Sequence, residues 1–312
     1  MEVSNLMISR DYVVITPVRN ERDNLPKTIA SFEAQTVRPV RWIIVDDGST
    51  DGTSELVDEA AARHGWIRAV HRPDRGFRQP GTGVVETFNA GLAVLGDVPF
   101  EYIVKFDADL DFEPDYFQRC FEKFDANPRL GIGGGLICRR EASGLVAESF
   151  NDPVFHVRGA TKIYRRECWE QLGGLVKAPG WDTIDELKAN MLGWQTWTFK
   201  DLKIHQLKDT GSADGNWRNW VKNGIANYNS GYHPVFMAAK CVRRLANRPV
   251  GVSSCGLAWG YFKSWILGAP LCVDRDLERY VRGEQMKRLF GKPSLWREGS
   301  AKVEPGIHRV VS

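Results

Sequence analysis

The chain has 312 residues, 43% hydrophobic and 26% charged, with a net charge of +3 at pH 7. That composition supports a buried core and excludes a disordered or fibrous chain, and the absence of any long Lys/Arg run argues against nucleic acid as a partner. Six scattered cysteines (Cys120, Cys138, Cys168, Cys241, Cys255 and Cys272) form no Cys-x-x-Cys pair, so free thiols in a reducing compartment are expected in place of a disulfide framework or zinc site.

The opening MEVSNLMISRDY carries no signal-peptide core before its charges, which makes a cytoplasmic protein the expectation. Tyr12 to Thr16 reads as a strand closed by Pro17. Asn24 and Pro26 then open a helix along which Leu25, Ile29 and Phe32 recur at helical spacing. Trp42 to Val45 is a second apolar strand, ending in Asp46 and Asp47, and Gly48-Ser-Thr-Asp-Gly turns the chain. Leu56, Val57, Ala60 and Ala61 stripe the next helix. Trp66 to His71 reads as a third strand, and Val85, Phe88, Leu92 and Leu95 stripe another helix before the strand from Tyr102 to Phe106. Alternating strands and helices predict an α/β fold with a mostly parallel central sheet covered by helices. Ligands of such sheets sit beyond the carboxyl ends of the strands, where the polar residues after the first, second and fourth strands fall.

The fourth strand stops at Asp107, Asp109 and Asp111. Residues two apart on an extended chain point to one side, so these acids are placed to converge, and a divalent cation such as Mg²⁺ or Mn²⁺ would relieve their repulsion. A solvated acidic turn before the helix near Pro114 is the alternative. Further on lie a glycine cluster at Gly131 to Gly135, a strand at Gly159 to Tyr164, and a helix striped by Ile184, Leu187 and Met191 and stopped by Gly193. Two short β segments follow at Trp194–Phe199 and Leu202–Leu207, and beyond Asn216 the chain is aromatic-rich and mostly helical. From Val250 to Val273 only Lys263 is charged. The length suffices for a bilayer, which needs about 20 apolar residues. Its Gly and Ser content, Pro270 and the central lysine favour first a buried or subunit-facing helix. A membrane-surface contact through Trp259, Tyr261, Phe262 and Trp265 comes second, and a span last.

Several motifs occur in order: TPVRNE at Thr16 to Glu21, VDDGSTDGT at Val45 to Thr53, FDADLDF at Phe106 to Phe112, GATKIYRRE at Gly159 to Glu167, GWDTIDE at Gly180 to Glu186, and GYHP at Gly231 to Pro234. On these the chain resembles the family 2 glycosyltransferases of the GT-A fold, and most closely bacterial members that build surface polysaccharides. The resemblance covers roughly Tyr12 to Pro234. It implies a GT-A catalytic domain over residues 1–235, with a nucleotide-binding half at about 10–112 and an acceptor half at about 113–235. Residues 236–312 would be a helical C-terminal extension, facing a membrane or a subunit.

The same resemblance implies transfer of a sugar, with inversion, from a nucleotide-diphosphate donor (UDP, GDP or dTDP) to a hydroxyl of a glycan or lipid-linked acceptor. The setting would be the cytoplasm or the inner face of the cell membrane. Thr16, Pro17, Arg19, Asn20 and Glu21 would line the nucleoside pocket, and Asp46 or Asp47 would meet the base or ribose. Arg75 and Arg78 would reach the diphosphate with forked donors, and Asp107 and Ala108 would lie against the nucleotide-sugar. Mn²⁺ or Mg²⁺ would be held by Asp109, with Asp107 beside it and His205 as a further ligand. The family's base is an Asp near the start of a helix ending in Gly plus an aromatic residue. Counting back from Gly193-Trp194 gives Asp182, with Asp185 next and Glu186 after it. Trp181 stands where the family usually has Glu. A pyrophosphorylase would need a glycine-rich loop after the first strand, and a dinucleotide dehydrogenase a G-x-G-x-x-G. Neither is present at Thr16–Asn20 or Gly81–Gly83. A non-catalytic nucleotide-sugar-binding subunit is the remaining alternative.

Overall fold

Tyr12, Val14, Trp42, Ile44, Tyr102 and Val104 join one buried cluster, whereas Val13, Ile15, Ile43, Val45 and Ile103 join another. Successive strand residues point to opposite faces, so both faces of this sheet are apolar and both need a cover. The computed structural model, which describes residues 10–77, 81–142, 144–148, 152–208, 216–245 and 251–298, supplies it.

The first half alternates β1 (Tyr12–Val18), α1 (Leu25–Glu33), β2 (Arg41–Asp46), α2 (Thr53–Arg63), β3 (Ile67–His71), α3 (Thr82–Ala93) and β4 (Tyr102–Phe106). Its strands pair in parallel in the order β3-β2-β1-β4, as the alternation predicts. Next come β5 (Leu110–Asp111), α4 (Tyr116–Ala126), β6 (Leu130–Glu141), β7 (Gly144–Ala147), β8 (Thr161–Arg165), α5 (Arg166–Leu172), α6 (Trp181–Met191) and β9 (Gln195–Gln206). The sheet continues β4-β8-β6-β9-β5, with β7 on β6. Here β8 runs antiparallel to both its neighbours, and β9 is parallel to β6. The two short β segments expected after Gly193 are a single strand, β9, whose register against β6 shifts between Gly135 and Leu136.

Leu25, Ile29 and Phe32 of α1, Val57 and Ala60 of α2, and Phe117, Phe121 and Phe124 of α4 cover one face. Phe32 packs on Trp42 at 4.2 Å between ring centroids, and Phe117 on Tyr12 at 4.7 Å. Val85 and Phe88 of α3, Cys168 and Trp169 of α5, and Ala189 of α6 cover the other. All six cysteines are free thiols.

The helices α7 (Asn216–Asn229), α8 (Pro234–Arg244), α9 (Val252–Ile266), α10 (Arg275–Leu289) and α11 (Leu295–Glu298) form a further layer. Ile184 and Leu187 of α6 share a buried cluster with Tyr228, Met237, Leu257, Tyr261, Leu277 and Val281, so α6 lies between the sheet and this layer. Helices α7 and α9 cross with their backbones in contact. A Cβ on Gly260 would come within 2.1 Å of the Val221 carbonyl oxygen, and one on Gly224 within 2.3 Å of the Leu257 carbonyl oxygen. With its Gly and Ser residues turned inward, α9 leaves Trp259, Trp265 and Ile266 outside, each at least half exposed, as is Leu267 beyond its end. Among the described residues no helix is long and apolar enough to cross a membrane.

Candidate active site

The turn after β2 is organised by Asp46, which is buried at the strand end. Its carboxylate accepts from the Ser49 backbone N–H at 3.0 Å and from the Ser49 and Ser54 hydroxyls, with His71 Nδ1 at 3.4 Å. Such saturation is turn chemistry, and Asp47, the other candidate acid, is engaged as well. Asp47 ion-pairs with Arg72 at 2.7 Å and with Arg75, and Arg75 also reaches Glu86 at 3.3 Å. Arg19 donates to the Asp47 carbonyl and pairs with Asp74 at 2.7 Å. Asn20 adopts φ 54°, the left-handed region that Asn tolerates, and its side-chain oxygen accepts from the Thr50 N–H at 2.9 Å. Glu21 pairs with Lys208 at 2.9 Å. Pro17 is half-buried at the end of β1. Thr16 departs from expectation: it is fully buried, and its hydroxyl accepts from the Trp42 indole at 2.8 Å, so its side chain belongs to the core. Arg78 lies outside the described residues.

Thr28, buried on α1, fastens the turn after β4. Its hydroxyl lies 2.7 Å from the Ala108 carbonyl and 2.9 Å from that of Leu110, and accepts from the Leu110 N–H at 3.0 Å. The Ala108 carbonyl is therefore already engaged. The three acids do not all converge. Asp111 turns to Ser31 at 3.2 Å and His205 at 3.9 Å, whereas Asp107 and Asp109 act on each other. Asp107 pairs with Lys105, a lysine buried in β4. Asp109 accepts from the Gln206 amide at 3.1 Å, and burial, then the Asp107 charge, push its carboxyl up to about 7. His205 therefore differs from its expected role. Adjacent residues of β9 point to opposite sides, so Gln206 meets Asp109 and His205 meets Asp111, with its Nδ1 lacking a hydrogen-bond partner.

A buried carboxyl destabilised by its neighbour's charge suits a divalent cation. Two carboxylates are also what Mg²⁺ or Mn²⁺ commonly takes from protein when phosphates and water complete the shell. Among the described residues no three His, Cys, Asp or Glu are grouped to hold a metal by themselves. The residues thus fit a cation shared with a phosphorylated ligand, not an all-protein cage.

The sign of the Asp109 shift gives a test without turnover. With its folded pKa at about 7 against a usual 3.8, the folded state keeps a proton that the unfolded chain releases between those values. In cation-free buffer stability therefore falls as pH rises through that window, by up to about 1.4 kcal/mol per unit, and levels off above it. Thermal melts in EDTA should show Asp109→Asn gaining on the wild type across the window. A difference that stays constant with pH would refute the shift.

Helix α6 begins at Gly180, whose φ is 90°. A Cβ there would meet the Ala226 carbonyl oxygen at 2.9 Å, so the glycine lets the helix start hard against α7. Asp182 in the first turn lines a cavity. Asp185 and Glu186 do not, which corrects both as candidate bases. They turn toward β8, where the fully buried Lys162 pairs with Asp185 at 2.6 Å and Glu186 at 2.8 Å and donates to the Asp182 carbonyl. Tyr164 donates to Asp185 at 2.6 Å, and the Val157 N–H to Glu186 at 2.6 Å. Burial pushes Asp185 up to about 6 against the pull of Lys162. His156 sits 2.9 Å from Glu186; burial lowers its pKa, but the Glu186 charge prevails and raises it to about 8. Sequence reasoning passed over Lys105 and Lys162, although a lone charge inside the apolar β4 was an available signal for Lys105. Trp181 bridges them, with its ring 5.6 Å from Lys105 Nζ and 5.7 Å from Lys162 Nζ.

The cavity has a volume of about 1040 Å³, ample for a nucleotide-sugar. Lys105, Asp107, Asp182 and Gln206 line it from the sheet and α6, and Lys240 and Arg244 line it from α8.

A parallel sheet with an Asp-x-Asp turn at the tip of β4, continued by a mixed half, defines the GT-A glycosyltransferase fold. Residues 13–167 match the family described as Glycosyl transferase family 2, and the chain belongs to that family. A mannosyltransferase from Pyrobaculum calidifontis, solved in complex with GDP-Man and Mn²⁺, superposes with a TM-score of 0.54 at 20% identity, covering 92% of this chain and 91% of that one. S. aureus TarS in complex with UDP-GlcNAc gives 0.52 at 15% identity, covering 89% and 81%. Among curated proteins, a polyprenol monophosphomannose synthase of Mycolicibacterium smegmatis is 29% identical over 51% of this chain and 63% of its own length. An undecaprenyl-phosphate 4-deoxy-4-formamido-L-arabinose transferase of Klebsiella pneumoniae is 26% identical over 49% and 41%. The match therefore spans less than two thirds of either relative's length.

Proposed function

We propose that the protein is an inverting glycosyltransferase that moves a sugar from a nucleotide-diphosphate donor to a hydroxyl of a glycan or lipid-linked acceptor, with a divalent cation. One observation carries this reading: Asp107 and Asp182 line a single cavity, and Asp109 is tied to it through the cavity-lining Gln206. Asp107 and Asp109 would hold Mn²⁺ or Mg²⁺, which when bound offsets the charge of the departing diphosphate. Lys105 fixes the Asp107 carboxylate. Pro17, Arg19, Asn20, Glu21 and Asp47, which lie outside the lining of that cavity, would form the nucleoside end, and Arg75, held by Asp47 and Glu86, would reach the phosphates. Asp182 takes the proton of the attacking hydroxyl. Lys162 acts on it indirectly, by bonding its carbonyl and neutralising the two acids that follow on the helix.

The donor's base is left to measurement. UDP-, GDP- and dTDP-sugars incubated with Mn²⁺ should reveal one donor whose nucleotide is released, and EDTA should stop that release. Release that persists in EDTA would sink the metal assignment, and no release from any donor, with acceptor supplied as a membrane extract, would sink the transferase reading.

The proposal includes work in the cytoplasm, at the inner face of the membrane, within polysaccharide or glycan biosynthesis. From Asn216 to Val273 the sequence holds seven Lys or Arg and no Asp or Glu. Trp217, Trp259, Trp265 and Ile266 are exposed on or beside that stretch's helices α7 and α9. Exposed tryptophans with basic residues around them suit an anionic lipid surface. Co-sedimentation should be strong with phosphatidylglycerol vesicles and weak with phosphatidylcholine. Trp259→Ser with Trp265→Ser should weaken it about tenfold or more without altering nucleotide affinity. Equal binding to both vesicle types, or no loss in the variant, would count against the surface.

A further inference from the structure

Among the described residues, two cations in the cavity have no acidic partner. Lys240 donates to the Asn227 side-chain oxygen at 3.1 Å and lies 5.2 Å from the Tyr232 ring centroid. Arg244, one helical turn on, stacks over Trp220 at 5.2 Å. Neither forms an ion pair with a carboxylate among the described residues. Of the acids on the same cavity, Asp107 pairs with Lys105, Glu148 and Asp152 pair with Arg158 at 2.8 Å and 3.8 Å, and Asp182 is the proposed proton acceptor. Burial, then the Arg244 charge, depress the Lys240 ammonium to about 8, and Asp152 offsets this only in part. Two like charges one helical turn apart, each only partly exposed, repel one another unless an anion completes them.

We propose that Lys240 and Arg244 form an anion subsite for the acceptor, gripping a phosphate or carboxylate on it while the acceptor's nucleophilic oxygen is presented to Asp182. The inference rests on the transferase reading above and names a property of its acceptor. The two cations come from α8, a different wall of the cavity from Asp107, so the donor's own diphosphate has its partners elsewhere. The Arg244 guanidinium, planar by resonance, lies over the Trp220 ring, a contact that holds it in place while its N–H fork suits two oxygens. Asn219 and Asn223 of α7 add neutral polar groups to the same wall.

Calorimetric titration of the full chain, saturated with its nucleoside diphosphate and Mn²⁺, tests this with hexyl phosphate and methyl glucuronide against the neutral hexanol and methyl glucoside. At least one anion should bind, the neutral partners should not, and which anion binds separates a phosphate from a carboxylate acceptor. Lys240→Met with Arg244→Gln should weaken the anion about tenfold or more while nucleotide affinity stays unchanged. Lys240→Arg should retain it, which guards against a folding artefact. The proposal is overturned if neither anion binds, if neutral and anionic probes bind alike, or if the double variant loses the nucleotide instead. Because the readout needs no turnover, anion binding without sugar transfer would defeat only the transferase reading, and transfer without anion binding only this subsite.

Discussion

Asp182→Asn should cut sugar transfer by about 10² to 10⁴-fold, the usual scale for removing a general base, while donor affinity stays within about twofold. The substitution keeps the shape of the side chain and removes only its ability to take a proton. Asp182 is the one acid of the GWDTIDE segment on the cavity. Its neighbours are occupied, Asp185 by Lys162 and Tyr164 and Glu186 by Lys162, His156 and the Val157 N–H. If the asparagine variant transferred sugar at the wild-type rate, the role could not pass to them, and general-base catalysis from α6 would be abandoned. Pre-steady-state transfer and equilibrium titration of the nucleotide, on the same preparation, separate the two effects.

Lys162→Met should destabilise the fold by about 3 to 5 kcal/mol, a large part of the roughly 5 to 15 kcal/mol that holds a typical domain together. The lysine is wholly buried, and its ammonium is the cation paired with both Asp185 and Glu186. Its loss leaves two carboxylates in the interior. Burial already holds the Asp185 carboxyl at about 6 even with the lysine present. Without it the acid would keep its proton to higher pH, so the variant's deficit should shrink on acidification and widen toward neutral pH. Urea denaturation at two pH values measures this. Adding Asp185→Asn and Glu186→Gln should recover part of the loss, because a neutral trio strands no charge. A deficit below about 1 kcal/mol would mean that water reaches these groups.

The parallel half of the sheet was readable because it obeys local rules. Val13 and Val14 alternate between two cores, and Asp46, Asp107 and Asp109 mark strand ends. What was not readable depends on side-chain direction. Spacing placed Asp107, Asp109 and Asp111 on one side, but the chain leaves the extended state between β4 and β5, where Thr28 pins the turn, and Asp111 swings to Ser31. Likewise Asp182, Asp185 and Glu186 share a helical face by spacing. Lys162 lies 20 residues before Asp182, on β8, and it divides the three between cavity and interior. Thr16 and His205 matched positions in a pattern, yet Trp42 and the alternation of β9 decided where they point. Trp181, the departure from the family pattern, fills the gap between two lysines that no local motif connects.

One helix, α6, carries the proposed proton acceptor on its first turn, meets the sheet through Ala189, and meets the C-terminal layer through Ile184 and Leu187. On the proposed reading, donor and acceptor machinery would hang from a common beam. If α8 holds the acceptor as proposed, variation in the outer helices would change which molecule is glycosylated, provided it preserves the apolar seat under that beam.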